Sequence, residues 1–348
     1  MGQPDSTTAQ PTVVDAHAHH FAASLDGFAP TSGEVLPSLV IDDERSGRIM
    51  IGDRVFRPVT SQLWSIEHRL QAMDDAGVSL QVVSPVPVML TYGASPGAAQ
   101  EYSAAVNDAL AADVQGSSGR LLGLGTVPLQ DVDIAVMELE RVMGDLGLRG
   151  VEIGTRINDT ELDDPSLTPF WEAVERLDAA VFIHPVGGGG GAVRRTGQLY
   201  DFGMGMLTDT SIAATGLVFG GVLEKFPRLR IGLAHGCGAF GWVYPRLRKA
   251  HEVWGAGPVE AMDERMRSLW VDTLVLDPEH LRLLVHRFGA DKVMVGTDHP
   301  FFPDLFAAAG SFVRDAAHAR ILDHDVVEPI LSGNAMGFLG LHAWPPAV

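Results

Sequence analysis

His17 and His19 stand two residues apart at the end of the apolar run that begins Val13-Val14-Asp15-Ala16. Successive side chains on a strand alternate faces, so both imidazoles project to one side, where two ring nitrogens can share one divalent cation. A lone His-x-His pair equally describes two satisfied polar residues. Three later segments repeat the pattern, each an apolar run that stops at a ligand-type residue: Ala180-Val181-Phe182-Ile183-His184, Ile231-Gly232-Leu233-Ala234-His235 and Val293-Met294-Val295-Gly296-Thr297-Asp298-His299. Such near-continuous apolar runs read as buried parallel strands whose outer faces helices cover. Four strand ends that present His17, His19, His184, His235 and Asp298 at one edge argue for a single site over unconnected core histidines.

The elements that must position these residues are legible. Apolar runs ending in Gly, Pro or polar residues occur at 13–19, 79–86, 121–127, 150–154, 180–186, 230–236, 269–275 and 292–298. Between them lie helix-period segments at 64–76, 97–114, 131–146, 168–177, 239–250 and 278–288. Eightfold alternation of strand and helix is the order of an α/β chain folded as a (β/α)8 TIM barrel, which keeps its active site at the C-terminal ends of the strands. The histidines and Asp298 fall at those ends.

Composition agrees with one barrel domain over 12–348: the 348 residues leave no room for a second full domain, and 46% apolar residues can fill the core. The single cysteine, Cys237, excludes an internal disulfide framework, and residues 1–11 read as a polar, disordered leader without signal-peptide character. These features predict a cytoplasmic protein. No apolar run approaches the length of a membrane span, and a net charge of −19 argues against nucleic acid or an anionic membrane as partner. An anionic substrate needs locally placed arginines.

Residues 20–63 form a long insertion between the first strand and the first helix, with a hairpin predicted over 48–57 that turns near Gly52-Asp53. We read it as a small lid on the catalytic face. Gly187–Gly191 is a run of five glycines after the fifth strand, which suggests mobility near the site or a plain flexible loop. No Lys-Ser or Lys-Thr helix start follows it, so a nucleotide loop is not supported.

The motifs His17-Ala18-His19, His184-Pro185, Ala234-His235-Gly236-Cys237-Gly238 and Gly296-Thr297-Asp298-His299-Pro300 resemble those of the amidohydrolase superfamily. More narrowly, the chain resembles the α-amino-β-carboxymuconate-ε-semialdehyde decarboxylase family. Ser84-Pro85-Val86-Pro87, Gly123-Leu124-Gly125-Thr126-Val127-Pro128 and Gly220-Gly221-Val222-Leu223-Glu224-Lys225-Phe226-Pro227 extend the similarity from Val13 to Leu341.

That resemblance implies that His17, His19, His184 and Asp298 hold one zinc ion per chain with a water completing the site, and that His235 is the acid/base. Three histidines and a carboxylate allow this division, because the remaining position admits a water of lowered pKa. His235 as a fourth histidine ligand is the alternative. The segment Gly150-Val151-Glu152-Ile153-Gly154 lacks the lysine that binuclear relatives carboxylate, and Glu152 stands where the resembled decarboxylases have an amide, leaving it a bridging or supporting role. The resemblance further implies that Arg57 and Arg246 bind substrate carboxylates, Arg246 from the neighbouring subunit of a homodimer; a guanidinium fork suits that task, and an ordinary surface arginine is the alternative for each. His299 replaces a tyrosine of the family, and Phe202 replaces a tryptophan of its substrate pocket. Both are expected to meet substrate.

The implied activity is metal-dependent, non-oxidative decarboxylation of a carboxylated muconate semialdehyde or a related aromatic-degradation intermediate. The main alternative is a zinc hydrolase or hydratase on the same barrel, acting on a lactone, amide or alkene with Asp298 shuttling the proton. A metal-free binding protein requires the ligand set to be vestigial, and nothing in the sequence suggests that.

Overall fold

The structure is a computed structural model that describes residues 12–25 and 27–342; the expected leader, 1–11, lies outside the described residues. Each of the eight apolar runs forms a strand: β1 (Val14–His20), β2 (Leu80–Pro85), β3 (Leu121–Gly123), β4 (Gly150–Gly154), β5 (Ala180–His184), β6 (Arg230–Leu233), β7 (Trp270–Asp272) and β8 (Val293–Met294). β1, β2 and β3 pair in parallel as one sheet, and β4 to β8 pair in parallel, in order, as a second. Backbone bonds join the two at both edges. Gly125 N donates to Gly150 O at 2.9 Å and Glu152 N to Gly125 O at 2.8 Å; Ala16 N donates to Val295 O and His19 N to His299 O, both at 2.7 Å. The ring therefore closes as a barrel, the architecture expected from the alternation of runs.

Val14, Ala16, Leu80, Val82, Leu122, Ala180, Phe182 and Met294 form one buried cluster inside this ring, closed by Phe338. A larger cluster lies between strands and helices. Strict alternation would put Asp15 on the same face as His17 and His19. A bulge between Asp15 and Ala18 interrupts the β1–β2 register, and a bulge of this kind re-aims the side chains on either side of it. Asp15 instead accepts from Gln81 Nε2 at 2.8 Å and Thr297 Oγ1 at 2.7 Å, while His17 packs against the interior Phe182.

Helices form at all six expected segments, as Ile66–Ala76, Pro96–Gly116, Val132–Gly144, Thr168–Leu177, Phe240–Trp254 and Pro278–Phe288. Three of their starts carry an oxygen cap: Ser65 accepts from His68 N, Asp131 from Ile134 N, and Asp277 from Glu279 N and His280 N. One feature departs from the sequence expectation about membrane spans. Gln198–Phe219 runs as a 22-residue helical stretch that is long and apolar enough, by length and composition, to cross a membrane. Ala213, Ala214, Leu217 and Val218 on it are buried in the core cluster, and its buried Asp209 accepts from Thr155 Oγ1.

The insertion after β1 is a three-stranded antiparallel sheet of Pro37–Ile41, Ser46–Ile51 and Arg54–Thr60. Ile51 pairs with Arg54 across Gly52-Asp53, and Gly52 takes φ 58°, a turn conformation that suits glycine. Leu39, Ile49 and Val59 bury with Leu63, Trp64, Met89 and Tyr102, which seats this sheet on the barrel. Arg57 is carried on its last strand.

The glycine run is more demanding than a plain flexible loop. Gly189 is buried with φ 67°, and a Cβ there would lie 2.2 Å from the Gly205 carbonyl carbon. This close backbone approach ties the loop after β5 to the start of the following helix.

Candidate metal centre

β1 delivers His17 and His19, β5 ends at His184, and the turn after β8 supplies Asp298. All four are buried, and one ligand atom from each lies within 4.8 Å of every other. His17 Nε2 is 3.3 Å from His19 Nε2, and Asp298 Oδ1 is 2.9 Å from His19 Nε2 and 3.7 Å from His17 Nε2. The opposite nitrogens are tied outward. His17 Nδ1 meets Asp272 Oδ2 at 2.7 Å, His19 Nδ1 meets Pro85 O at 3.3 Å, and His184 Nδ1 meets Pro185 O at 2.8 Å. An acceptor on each Nδ1 favours the tautomer whose Nε2 carries a lone pair. Three such nitrogens then face one another, and His184 Nε2 is buried without a protein partner. Bare lone pairs packed at this distance repel unless a cation lies between them, so the donor set fits one divalent metal ion.

The surrounding carboxylates draw positive charge, a proton or a metal ion, to the same point. Burial alone would lower the His17 pKa, but the Asp272 hydrogen bond and the charges of Asp272, Asp298 and Glu152 raise it to about 9. Burial would raise Asp298, yet its bond to His19 and the charges of His19, His17 and His235 hold it at about 2. Burial, with the neighbouring imidazoles, pushes His184 well down.

His235 sits beside this set and outside it. Its ring centroid is 4.9 Å from that of His184 and 5.4 Å from that of His17. Burial first, then the His17 charge, lowers its pKa to about 4, and its Nδ1 has no protein partner. The backbone that presents it is left-handed, with φ 56° at His235 and 60° at Gly236, a conformation that non-glycine residues hold only when the surroundings fix them. Asp272 does this, accepting from His235 N at 2.9 Å and Gly236 N at 2.8 Å.

Asp272 was not among the residues singled out from the sequence. The signal was available, since the run Leu269-Trp270-Val271-Asp272 also ends in a carboxylate. Glu152 lies inside the barrel, where it accepts from Ser84 Oγ and its Oε2 lies 3.8 Å from His19 Nδ1. Burial raises its pKa. It stands behind His19, and its oxygens are not part of the converging set.

Arg57 lies with its guanidinium 4.0 Å over the Phe301 ring, and Phe301 in turn packs 5.5 Å from His19. Burial lowers its pKa, and the Asp298 charge opposes that shift. Arg246 is exposed on Phe240–Trp254. Phe202 packs 5.6 Å from Phe302 at a cavity of about 370 Å³ that His235 also lines.

His299, expected to meet substrate, is held by protein groups. Its ring is fully buried and stacked 3.8 Å from Phe306; Nδ1 is 3.2 Å from Arg69 Nη1 and Nε2 is 3.0 Å from Gln62 Oε1. Both ring nitrogens therefore face groups of the protein.

A family model described as amidohydrolase matches residues 14–341. The chain is 36% identical over 302 residues to 2-amino-3-carboxymuconate-6-semialdehyde decarboxylase of Dictyostelium discoideum, covering 84% of this chain and 82% of the relative. Among solved structures it is similar to IDCase of Metarhizium anisopliae, with TM-score 0.79, 22% identity and coverage of 97% and 99%. It is also similar to a dihydroxybenzoic acid decarboxylase from Polaromonas with bound manganese, with TM-score 0.73, 21% identity and coverage of 95% and 98%.

Proposed function

The chain belongs to the amidohydrolase family, and from that premise we propose that it is a metal-dependent, non-oxidative decarboxylase of a carboxylated muconate semialdehyde or a related aromatic-degradation intermediate. The observation that carries this reading is the division of labour among four histidines: three present Nε2 to one point with Asp298, and the fourth, His235, stands at their side.

In this reading Nε2 of His17, His19 and His184 and one oxygen of Asp298 hold a single metal ion. When bound, that ion supplies Lewis acidity that polarises an oxygen of substrate or of water. Zinc is our assignment, because a site of three histidines and one carboxylate suits it. His235, neutral at physiological pH, takes a proton from water and delivers it to the carbon that bears the departing carboxylate. That carbon becomes sp³, the C–C bond to the carboxylate breaks, and its electron pair restores conjugation as carbon dioxide leaves. Arg57 holds a carboxylate of the substrate from the lid sheet, and the exposed Arg246 serves a neighbouring subunit's site in a homodimer. We place the enzyme in the cytoplasm.

The test incubates metal-loaded protein with carboxylated muconate semialdehydes, hydroxybenzoates and lactones. Carbon dioxide released in step with substrate loss supports the decarboxylase; acid release without gas transfers the site to hydrolysis.

A further inference from the structure

Arg69, on the helix Ile66–Ala76, is fully buried and has no part in the chemistry proposed above. Its Nη1 donates to Gln81 Oε1 at 2.6 Å and lies 3.2 Å from His299 Nδ1; its Nη2 donates to His19 O at 2.5 Å. Burial lowers its pKa to about 10 against the charges of Asp15 and Asp113, so it is a cation at neutral pH and each of its nitrogens can only donate. Among the described residues its contacts are to neutral acceptors, and its Nε has none. A guanidinium taken out of water without a carboxylate against it is costly to bury.

The donors of Arg69 dictate the bonds around it. Gln81 must turn its oxygen to Arg69 and its Nε2 to Asp15 Oδ2, 2.8 Å away. His299 Nδ1, faced by Arg69 Nη1 and by Gln81 Nε2 at 3.4 Å, is then the acceptor, and its Nε2–H donates to Gln62 Oε1 at 3.0 Å. Asp15 also accepts from Thr297 Oγ1 at 2.7 Å and from His17 N at 3.2 Å. The bonds that start at Arg69 therefore end on the carbonyl of the ligand His19, on the amide of the ligand His17, and on Thr297 and His299, the two neighbours of the ligand Asp298. Arg69, Gln81, Asp15, Thr297 and His299 are all buried, so the arrangement is complete within one chain.

We propose that Arg69 is a positioning residue of the metal centre: its guanidinium fork holds β1 at His19 and the turn after β8 at His299, and so sets where the His19 imidazole and the Asp298 carboxylate stand relative to each other. Those two groups are 2.9 Å apart, Nε2 to Oδ1. His19 N donates to His299 O at 2.7 Å, and in a continuing parallel ladder the donor to His19 O would be Phe301 N. That amide instead turns to Asp298 O at 3.0 Å, and Arg69 Nη2 takes its place. The ligand-bearing turn is thus free to leave the strand path, with Arg69 closing the gap. The inference concerns the donor set and holds whichever reaction the centre performs.

The experiment titrates cobalt(II) into metal-free, full-length protein and reads its visible absorption, whose position and intensity follow ligand geometry. Affinity measured well below the unfolding transition, located with urea for each variant, reads the folded state alone, so a variant that merely loosens the fold leaves it unmoved. Arg69→Met, which keeps an unbranched apolar stem without charge or donors, should weaken cobalt binding roughly 10- to 100-fold, the range for losing a group that orients a ligand, and alter the spectrum. Arg69→Lys keeps the charge, but its ammonium lacks the fork that reaches His19 O and His299 together, so it too should bind cobalt less tightly than the unsubstituted protein. Unchanged affinity and spectrum in folded Arg69→Met overturn the proposal, and full recovery in Arg69→Lys overturns the two-point hold. Should Arg69→Met fail to fold, His299→Leu decides, because it leaves Arg69 in place and removes the acceptor beside Asp298: weaker cobalt binding supports the assignment, and unchanged binding overturns it.

Discussion

Asp272 Oδ2 lies 2.7 Å from Nδ1 of His17 and, through the same oxygen, accepts the backbone N–H of His235 at 2.9 Å. One buried carboxylate thus aims a metal-binding imidazole and fixes the strained turn that presents the proposed acid/base. Its remaining oxygen accepts from Gly236 N and Leu274 N, at 2.8 and 3.0 Å, so the β6 and β7 ends are held as one piece.

Asp272→Asn keeps the shape but removes the charge and offers His17 an amide in place of a carboxylate. Metal affinity should fall 10- to 100-fold, the usual cost of losing a partner behind a histidine ligand. Competition against a chromophoric chelator measures this; unchanged affinity would show that the His17–Asp272 bond does not support the site.

The metal set and His235 are separable. Purified protein should carry about one zinc per chain, and His17→Ala should empty the site. His235→Ala should retain the metal yet lose roughly 10²- to 10⁴-fold in turnover, the range for removing a general acid/base. Elemental analysis run beside the activity assay decides it: loss of zinc in His235→Ala makes His235 a ligand, and two tightly bound metals per chain give Glu152 a bridging role.

How much of this was legible in the sequence depends on the scale of the signal. Strands β1, β5 and β8 announced themselves because an apolar run that ends in His or Asp is conspicuous, and the lid hairpin because Gly52-Asp53 separates two β-rich runs. Asp272 was overlooked although it ends its run in the same way, since β7 is only three residues long and its carboxylate touches ring and backbone atoms brought in from β1 and β6. The bulge between Asp15 and Ala18 was illegible, because period-2 alternation has no term for it. His299 was expected to meet substrate because it replaces a tyrosine of the resembled family; that its ring also meets Arg69, 230 positions away in sequence, has no local signal.

The glycine run offers a test of backbone demand within one loop. Gly187 takes φ 57° with open space where a Cβ would go, whereas Gly189 takes φ 67° and abuts Gly205. Gly187→Ala should cost about 1 kcal/mol, the price of a left-handed alanine. Gly189→Ala adds a backbone clash and should cost roughly 2–4 kcal/mol or shift the helix that follows. Urea melts of the two variants give the comparison, and equal losses would mean that the Gly189–Gly205 approach is not a constraint.

The last prediction concerns the two arginines. Arg57 leans over Phe301, which packs against the metal-site His19, while Arg246 is exposed on a helix that also exposes Trp242. If each holds a substrate carboxylate, Arg57→Ala and Arg246→Ala should both lower kcat/KM by an amount equivalent to roughly 2–5 kcal/mol, because the anion is left poorly paired in a partly dry site. The decisive measurement mixes the two variants under conditions where subunits exchange. A heterodimer of Arg57→Ala and Arg246→Ala chains has one site with both arginines intact and one with neither, so activity absent from either homodimer should reappear, approaching half the wild-type value per heterodimer. Full activity of Arg246→Ala alone, or no recovery in verified heterodimers, would leave Arg246 a surface residue and confine substrate binding to a single chain.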